Sequence, residues 1–78
     1  MKKIALVTGA AGGIGQAIVC RLAKEGMKVY ANARSEEKLK KTLELCKGCD
    51  VEPLVFDVTD LADAERKIMS LERIDYLV

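Results

Sequence analysis

Four glycines fall within seven residues near the start of the chain, in the run Thr8 to Gly15, which reads TGAAGGIG. A short apolar run, Ile4 to Val7, precedes these glycines, and an amphipathic stretch from Gly13 to about Glu25 follows them. The apolar run is typical of a buried parallel strand, and the amphipathic stretch is typical of a helix that covers a sheet. The chain is therefore predicted to begin with a strand, a glycine-rich turn and a helix.

The same alternation of short apolar runs and amphipathic stretches continues along the chain. Further strands are predicted over Met27 to Ala33, Val51 to Phe56 and Ile74 to Val78. Such alternation implies a parallel sheet with right-handed crossovers. We predict an α/β fold with a Rossmann-like, partial doubly wound parallel sheet (βαβαβαβ, strand order 3-2-1-4) in one truncated dinucleotide-binding domain over residues 1–78.

Helix boundaries follow from capping residues. In the second helix, Ser35 is the predicted N-cap and Gly48 the stop. Asp60 or Thr59 is predicted to cap a third helix that runs to about Glu72. The inner positions of the third helix are predicted to be Leu61, Ala64, Ile68 and Leu71. The first two helices are expected on one face of the sheet and the third on the other.

Composition narrows the choice of partners. Half of the 78 residues are hydrophobic and 32% are charged, which is typical of a globular chain. The net charge is only +1, so no basic surface for nucleic acid is expected. No apolar run reaches the roughly 18 residues that span a bilayer, and no signal-peptide pattern is present, so we expect a cytoplasmic protein without membrane contact. The chain has no histidine, and Cys20, Cys46 and Cys49 are expected to be reduced thiols rather than metal ligands.

The glycine run lies where a parallel sheet of this order binds ligands, at the carboxyl end of strand 1. Gly9 permits a tight turn, Gly13 lets backbone approach a pyrophosphate, and Gly15 lets the helix pack against the sheet. The amides of Gly13 and Ile14 then point at phosphates from the helix N-terminus. No Lys-Ser/Thr pair follows the glycines, which excludes a P-loop. The arrangement favours dinucleotide binding.

With the preceding Thr8, the spacing resembles the TGxxxGxG loop of the short-chain dehydrogenase/reductase family. Arg34 with the following SEEKL, the stretch Asp57 to Asp60, and the run Ile74 to Val78 also resemble segments of that family. The resemblance covers the whole chain and is to the N-terminal portion of a member, nearest the 3-oxoacyl-carrier-protein reductase type.

The resemblance implies which residues bind the cofactor. Gly9, Gly13, Ile14 and Gly15 would line the ribose and pyrophosphate, with Ala11 and Gly12 in the same loop. Asp57 and Val58 would border the adenine, with the Asp57 carboxylate accepting from the exocyclic amine. The alternative for Asp57 is a strand-ending residue that helps to cap the third helix.

The cofactor type depends on charge at the end of strand 2. Ala33 stands where NAD-preferring members carry aspartate, and a guanidinium such as that of Arg34 can bind a 2′-phosphate. Many NADP-preferring members carry a second basic residue at the position that Gly12 occupies in this chain. We therefore expect NADP, with NAD less favoured, and the alternative for Arg34 is a solvated residue before a helix cap.

The resemblance implies a catalytic Asn, Ser and Tyr-x-x-x-Lys pair, and these 78 residues contain no counterpart: neither Tyr30 nor Tyr76 is followed four residues later by lysine. We expect the N-terminal part of an oxidoreductase, which by itself transfers no hydride. One alternative is a nucleotide-binding or self-assembling module without catalysis. A methyltransferase is disfavoured because Ala31 to Arg34 contains no carboxylate. Self-association is expected through the strand 4 edge or the less covered sheet face.

Overall fold

A computed structural model describes residues 2–71 and 74–78. Strands and helices alternate in the described chain. The elements are β1 (Ile4–Val7), α1 (Gly13–Lys24), β2 (Lys28–Ala33), α2 (Glu36–Leu45), β3 (Val51–Val55), α3 (Leu61–Met69) and β4 (Tyr76–Leu77). The order of elements is the predicted one.

All strand pairs are parallel, and the four strands stand in the order β3-β2-β1-β4. In β1, Ala5 pairs with Val29 on one side and with Tyr76 on the other. The predicted fold class and strand order are confirmed. Because β1 is a central strand, the loop that follows it opens at the carboxyl edge of the sheet, beside the ends of β2 and β4.

The core lies between the sheet and the first two helices. Val7 and Val29 from the strands, Val19 from α1 and Leu39 from α2 are fully buried and belong to one cluster. Helices α1 and α2 thus cover the same face of the sheet, as predicted. Apolar burial of this kind supplies most of the favourable free energy of a small domain.

Helix boundaries differ from prediction at two caps. Ser35 occupies the N-cap position of α2, but its side chain makes no capping hydrogen bond. Helix α2 ends at Leu45, earlier than the Gly48 stop, because the chain leaves it through a turn in which the Cys49 amide donates to the Cys46 carbonyl at 3.0 Å. Gly48 lies inside that turn with a φ of 91°.

Helix α3 packs less closely than predicted. Asp60 caps it, with Oδ1 accepting from the Asp63 amide at 3.2 Å, which confirms that part of the prediction. Ala64 and Ile68 are half-buried, but Leu61 is 77% exposed, so its assignment as an inner residue was wrong. A helical side chain covers the turn before its own Cα, and Leu61 is the first residue of α3, so it reaches past the helix start.

Near the end of the chain, the limits of α3 and β4 are compared with those predicted from the sequence. Helix α3 as described ends at Met69, and its expected end at Glu72 falls outside the described residues. Strand β4 comprises Tyr76–Leu77 only, shorter than the predicted run, and both residues are exposed. Within residues 2–71 and 74–78, every helix is too short or too polar to cross a membrane.

Candidate functional site

The chain leaves β1 through a tight turn at Gly9. This residue has a φ of 63°, a left-handed conformation that only glycine adopts without strain. The Gly12 amide donates to the Gly9 carbonyl at 3.4 Å, and the Gln16 amide donates to the Gly12 carbonyl at 2.7 Å, which begins α1. The predicted turn at Gly9 is confirmed, and α1 begins shortly after it.

Gly15 is required for a close approach between α1 and the turn. A Cβ on Gly15 would collide with the carbonyl group of Gly9 and would lie 3.1 Å from the Cα of Ala10. A Cβ on Gly12 or on Gly13 would meet only open space. The close contact that the sequence predicts at Gly15 is therefore made to the turn itself.

The loop is held by hydrogen bonds from two other elements. The Ala10 amide donates to the Asn32 carbonyl of β2 at 2.8 Å. The buried Thr42 hydroxyl of α2 donates to the Ala10 carbonyl at 2.9 Å and accepts from the side-chain Nε2 of Gln16 at 3.1 Å. Ala10 itself is fully buried, so both of its backbone polar groups are satisfied by protein.

The ends of β2 and β3 are joined by a buried amide. Asn32 is only 2% exposed, and its Nδ2 donates to the carbonyls of Leu54 at 3.1 Å and Phe56 at 3.0 Å. At the ends of β1 and β4, the backbone amide and the side-chain hydroxyl of Thr8 both donate to the Val78 carbonyl, at 2.9 and 2.8 Å. These bonds set the relative positions of the chain segments that leave the sheet at its carboxyl edge.

Those segments enclose a cleft of about 280 Å³ at the carboxyl ends of β1, β2 and β3. Its lining residues are Thr8, Gly9, Asn32, Ala33, Arg34, Phe56 and Val58. Three of the residues assigned to a cofactor from the sequence thus meet in one cleft: Gly9, Arg34 and Val58. Ligands of open parallel sheets bind in this position.

Arg34 and Asp57 face each other at the rim of the cleft. The Arg34 Nε lies 3.9 Å from the Asp57 Oδ1, and the Arg34 side chain is 68% exposed. Such an exposed pair contributes little to stability, so the guanidinium is available to another anion. The Asp57 Oδ1 also accepts from the Thr59 hydroxyl at 2.7 Å and the Thr59 amide at 2.9 Å. These bonds, with a smaller effect of Arg34, hold the pKa of Asp57 below its ordinary value.

The remaining assigned residues lie beside the cleft rather than in its wall. Gly12 is the N-cap of α1. Gly13 and Ile14 line a second concavity of about 550 Å³ along the outer side of α1, shared with Ala17, Ile18, Arg21 and Leu22. This groove is larger but almost wholly apolar, and Ile14 is 82% exposed in it. The smaller cleft carries the charged group and the strand ends, so it is the better candidate site.

Two supporting residues, Asn32 and Thr42, were missed by sequence reasoning. Asn32 stands between Ala31 and Ala33 in an otherwise apolar strand segment, and Thr42 stands on the inner side of a charged helix. A buried polar side chain needs a hydrogen-bond partner, so a polar residue at an inward position is a signal for such a contact. The sequence does not show which group is the hydrogen-bond partner, because that depends on how the elements pack.

Comparison with known proteins identifies the family. The family model described as short chain dehydrogenase matches residues 3–78. A short-chain type dehydrogenase/reductase of Sinorhizobium fredii, itself uncharacterised, is 42% identical over 76 residues, which is 97% of this chain and 29% of that protein. A 3-oxoacyl-[acyl-carrier-protein] reductase of Thermotoga maritima is 38% identical over 82 residues, covering 97% of this chain and 33% of that protein. This chain belongs to the short-chain dehydrogenase family.

Solved structures agree with the fold. An actinorhodin polyketide ketoreductase determined with NADPH superposes with a TM-score of 0.88 at 35% identity, covering 97% of this chain and 31% of that one. A metagenomic short-chain oxidoreductase in complex with NADP superposes with a TM-score of 0.81 at 31% identity, over 96% of this chain and 37% of that one. The chain therefore spans about a third of the length of the proteins it matches, and it corresponds to their N-terminal portion.

Proposed function

We propose that this chain is the NADP(H)-binding part of a short-chain dehydrogenase/reductase-type oxidoreductase. The observation that carries the proposal is the position of Arg34 at the rim of the cleft, directly after Ala33, where no carboxylate would repel a 2′-phosphate. The two solved relatives named above were determined with NADPH and NADP.

The remaining residues are assigned as the family resemblance implies. Gly9, Gly13, Ile14 and Gly15 are assigned to the ribose and pyrophosphate, with Ala11 and Gly12 in the same loop. The N-terminal amides of α1 supply the donors for the phosphates. Asp57 and Val58 are assigned to the adenine. The Asp57 carboxylate, whose pKa lies below its ordinary value, can accept hydrogen bonds from the adenine amine.

Calorimetric titration of the chain with NADPH and with NADH tests this proposal. NADPH should bind more tightly than NADH, and Arg34→Ala should weaken NADPH by about 10- to 100-fold, since a hydrogen bond to a charged group contributes about 1.5–3 kcal/mol. NADH affinity should change little. Arg66→Ala, which removes an exposed arginine paired with Asp63 on α3, is the control for loss of charge. Equal affinities for both nucleotides, unchanged by Arg34→Ala, would contradict the proposal.

Hydride transfer between nicotinamide and a carbonyl or alcohol substrate is proposed for the longer protein only. The cofactor supplies the hydride chemistry, and this chain's residues bind and orient it. Because the family's Tyr-x-x-x-Lys pair has no counterpart in these 78 residues, the chain alone should show no NADPH oxidation with a carbonyl substrate. A cytoplasmic location belongs to the same proposal.

We also infer that the isolated chain self-associates through the edge of β4 or through the less covered sheet face. Leu77 is 67% exposed in a strand whose outer edge is open, and Met69 of α3 is 74% exposed. An unpaired edge with apolar side chains recruits further strands. Sedimentation velocity over a range of concentrations should show a concentration-dependent larger species, which Leu77→Lys should reduce. A monomer at every concentration would overturn this inference.

A further inference from the structure

Helices α1 and α2 bring two cysteines together that are far apart in sequence. Cys20 lies on α1, and Cys46 is the C-cap residue of α2. Their Sγ atoms are 2.7 Å apart, in an S–H···S hydrogen bond. A disulfide has an S–S length of about 2.05 Å, so bond formation needs a sulfur movement of only about 0.7 Å.

The two cysteines form a side-chain contact between α1 and α2 in addition to that of Gln16 with Thr42. Gln16 contacts Thr42 at 3.1 Å, and Cys20 and Cys46 follow each of these residues by four positions, which is about one helical turn. The contact of Gln16 with Thr42 leads directly to the glycine loop, because the Thr42 hydroxyl donates to the Ala10 carbonyl. The thiol pair therefore lies one turn from the residues that hold the loop.

The three thiols differ in exposure. Cys46 is only 4% exposed, and burial, with the neighbouring Cys20, raises its pKa to about 12. Cys20 and Cys49 are partly exposed. Because the thiolate is the nucleophile and must reach the oxidant, initial attack is assigned to Cys20, and Cys46 is the second, resolving sulfur.

We propose that Cys20 and Cys46 form a reversible disulfide that fastens α1 to α2 beneath the glycine loop. The oxidant is a small disulfide such as glutathione disulfide. The Cys20 thiolate attacks one glutathione sulfur, forming a mixed disulfide and releasing one glutathione. The Cys46 sulfur then attacks the Cys20 sulfur, forming the Cys20–Cys46 bond and releasing the second glutathione. The two protein thiols are oxidised, their protons pass to the two glutathione thiolates, and the glutathione disulfide is reduced.

The sequence allows each disulfide to be distinguished by peptide mapping. Trypsin cleaves after lysine and arginine, so each cysteine falls in a different peptide: 4–21, 42–47 and 48–66. The chain is incubated with glutathione disulfide, alkylated, digested without reductant and analysed by mass spectrometry. The expected product is peptide 4–21 linked to peptide 42–47 in the monomer, lost on treatment with dithiothreitol. Predominant linkage of 42–47 to 48–66, or glutathione retained on Cys20 without a crosslink, would overturn the proposal.

Three variants complete the experiment. Cys49→Ser should leave the crosslink unchanged, and it is the matched control because it removes a thiol three residues from Cys46. Cys20→Ser should abolish the 4–21 to 42–47 product, and Cys46→Ala should leave Cys20 as a mixed disulfide with glutathione. The oxidised Cys49→Ser chain should unfold at a temperature roughly 10 °C above that of the reduced chain. A lower unfolding temperature on oxidation would contradict a bond that fastens the helices. None of these measurements depends on cofactor binding.

Discussion

The Thr42 hydroxyl of α2 lies 2.9 Å from the carbonyl oxygen of Ala10, in the turn between β1 and α1. Both residues are fully buried, and the same hydroxyl accepts from the Gln16 side chain. A helix on the covered face of the sheet thus holds the glycine loop through a residue that does not line the cleft. The conformation of the loop depends on the packing of α2 as well as on its glycines.

Thr42→Val should destabilise the fold. Valine has nearly the same shape, but it leaves the buried Ala10 carbonyl without its donor, which costs about 1–3 kcal/mol of the free energy of unfolding. Thr42→Ser retains the hydroxyl and should lose less. Urea unfolding of the three proteins measures the difference. Equal stability of Thr42→Val and the unsubstituted chain would show that another donor satisfies Ala10.

Gly15→Ala and Gly13→Ala should separate the structural from the binding role of the loop glycines. Gly15→Ala should lower the free energy of unfolding by about 1–3 kcal/mol, because its methyl group would overlap the Gly9 carbonyl. Gly13→Ala meets open space and should leave stability unchanged or slightly higher. If Gly13 approaches a pyrophosphate, as proposed, its alanine variant should bind NADPH more weakly while remaining fully folded. Unfolding curves and calorimetry on both variants test this contrast.

Ala33→Asp should shift cofactor preference toward NADH. A carboxylate in the wall of the cleft would repel a 2′-phosphate and accept from ribose hydroxyls, so NADPH affinity should fall by roughly tenfold or more. Ala33→Asn, which adds a side chain of similar size without charge, is the matched control. Because position 33 is buried, thermal unfolding of both variants must accompany the titrations. An equal loss of affinity for both nucleotides in both variants would indicate a steric effect.

Alkaline pH should weaken the fold through Cys46. The ordinary pKa of the thiol is 9.0, and in the folded chain it is raised to about 12, so the folded state binds the proton more tightly. The stabilisation is complete below pH 9 and declines as the pH rises from 9 toward 12.

Cys46→Ala should therefore show a smaller fall in unfolding temperature over this range, measured in the presence of a reductant. Lys28, whose pKa is raised chiefly by its hydrogen bond to Glu52, loses stabilisation in an overlapping range, but it does so in both proteins. The difference between the two pH profiles isolates Cys46, and parallel profiles would contradict the assignment.

The sequence by itself determined the fold class, the strand order and the turn at Gly9. These properties depend on local periodicity, on the conformational freedom of one glycine and on the handedness of strand crossovers, all of which can be read along the chain. The capping of α3 by Asp60 is of the same kind, because its bond to Asp63 joins residues three apart. The cofactor assignments of Gly9, Arg34 and Asp57 came from the family resemblance and remain proposals.

Only the tertiary structure decided which side chains meet across elements. The contacts of Thr42 with Ala10 and of Asn32 with Phe56 depend on how α2 and β3 lie against the loop and β2, which no local pattern specifies. The same holds for the thiols. The sequence predicted only that the three cysteines are reduced thiols, whereas the packing of α1 on α2 places the Cys20 Sγ 2.7 Å from the Cys46 Sγ. Hydrogen bonds and thiol pairs act over about 3 Å, and that distance is set by the packing of elements rather than by separation along the chain.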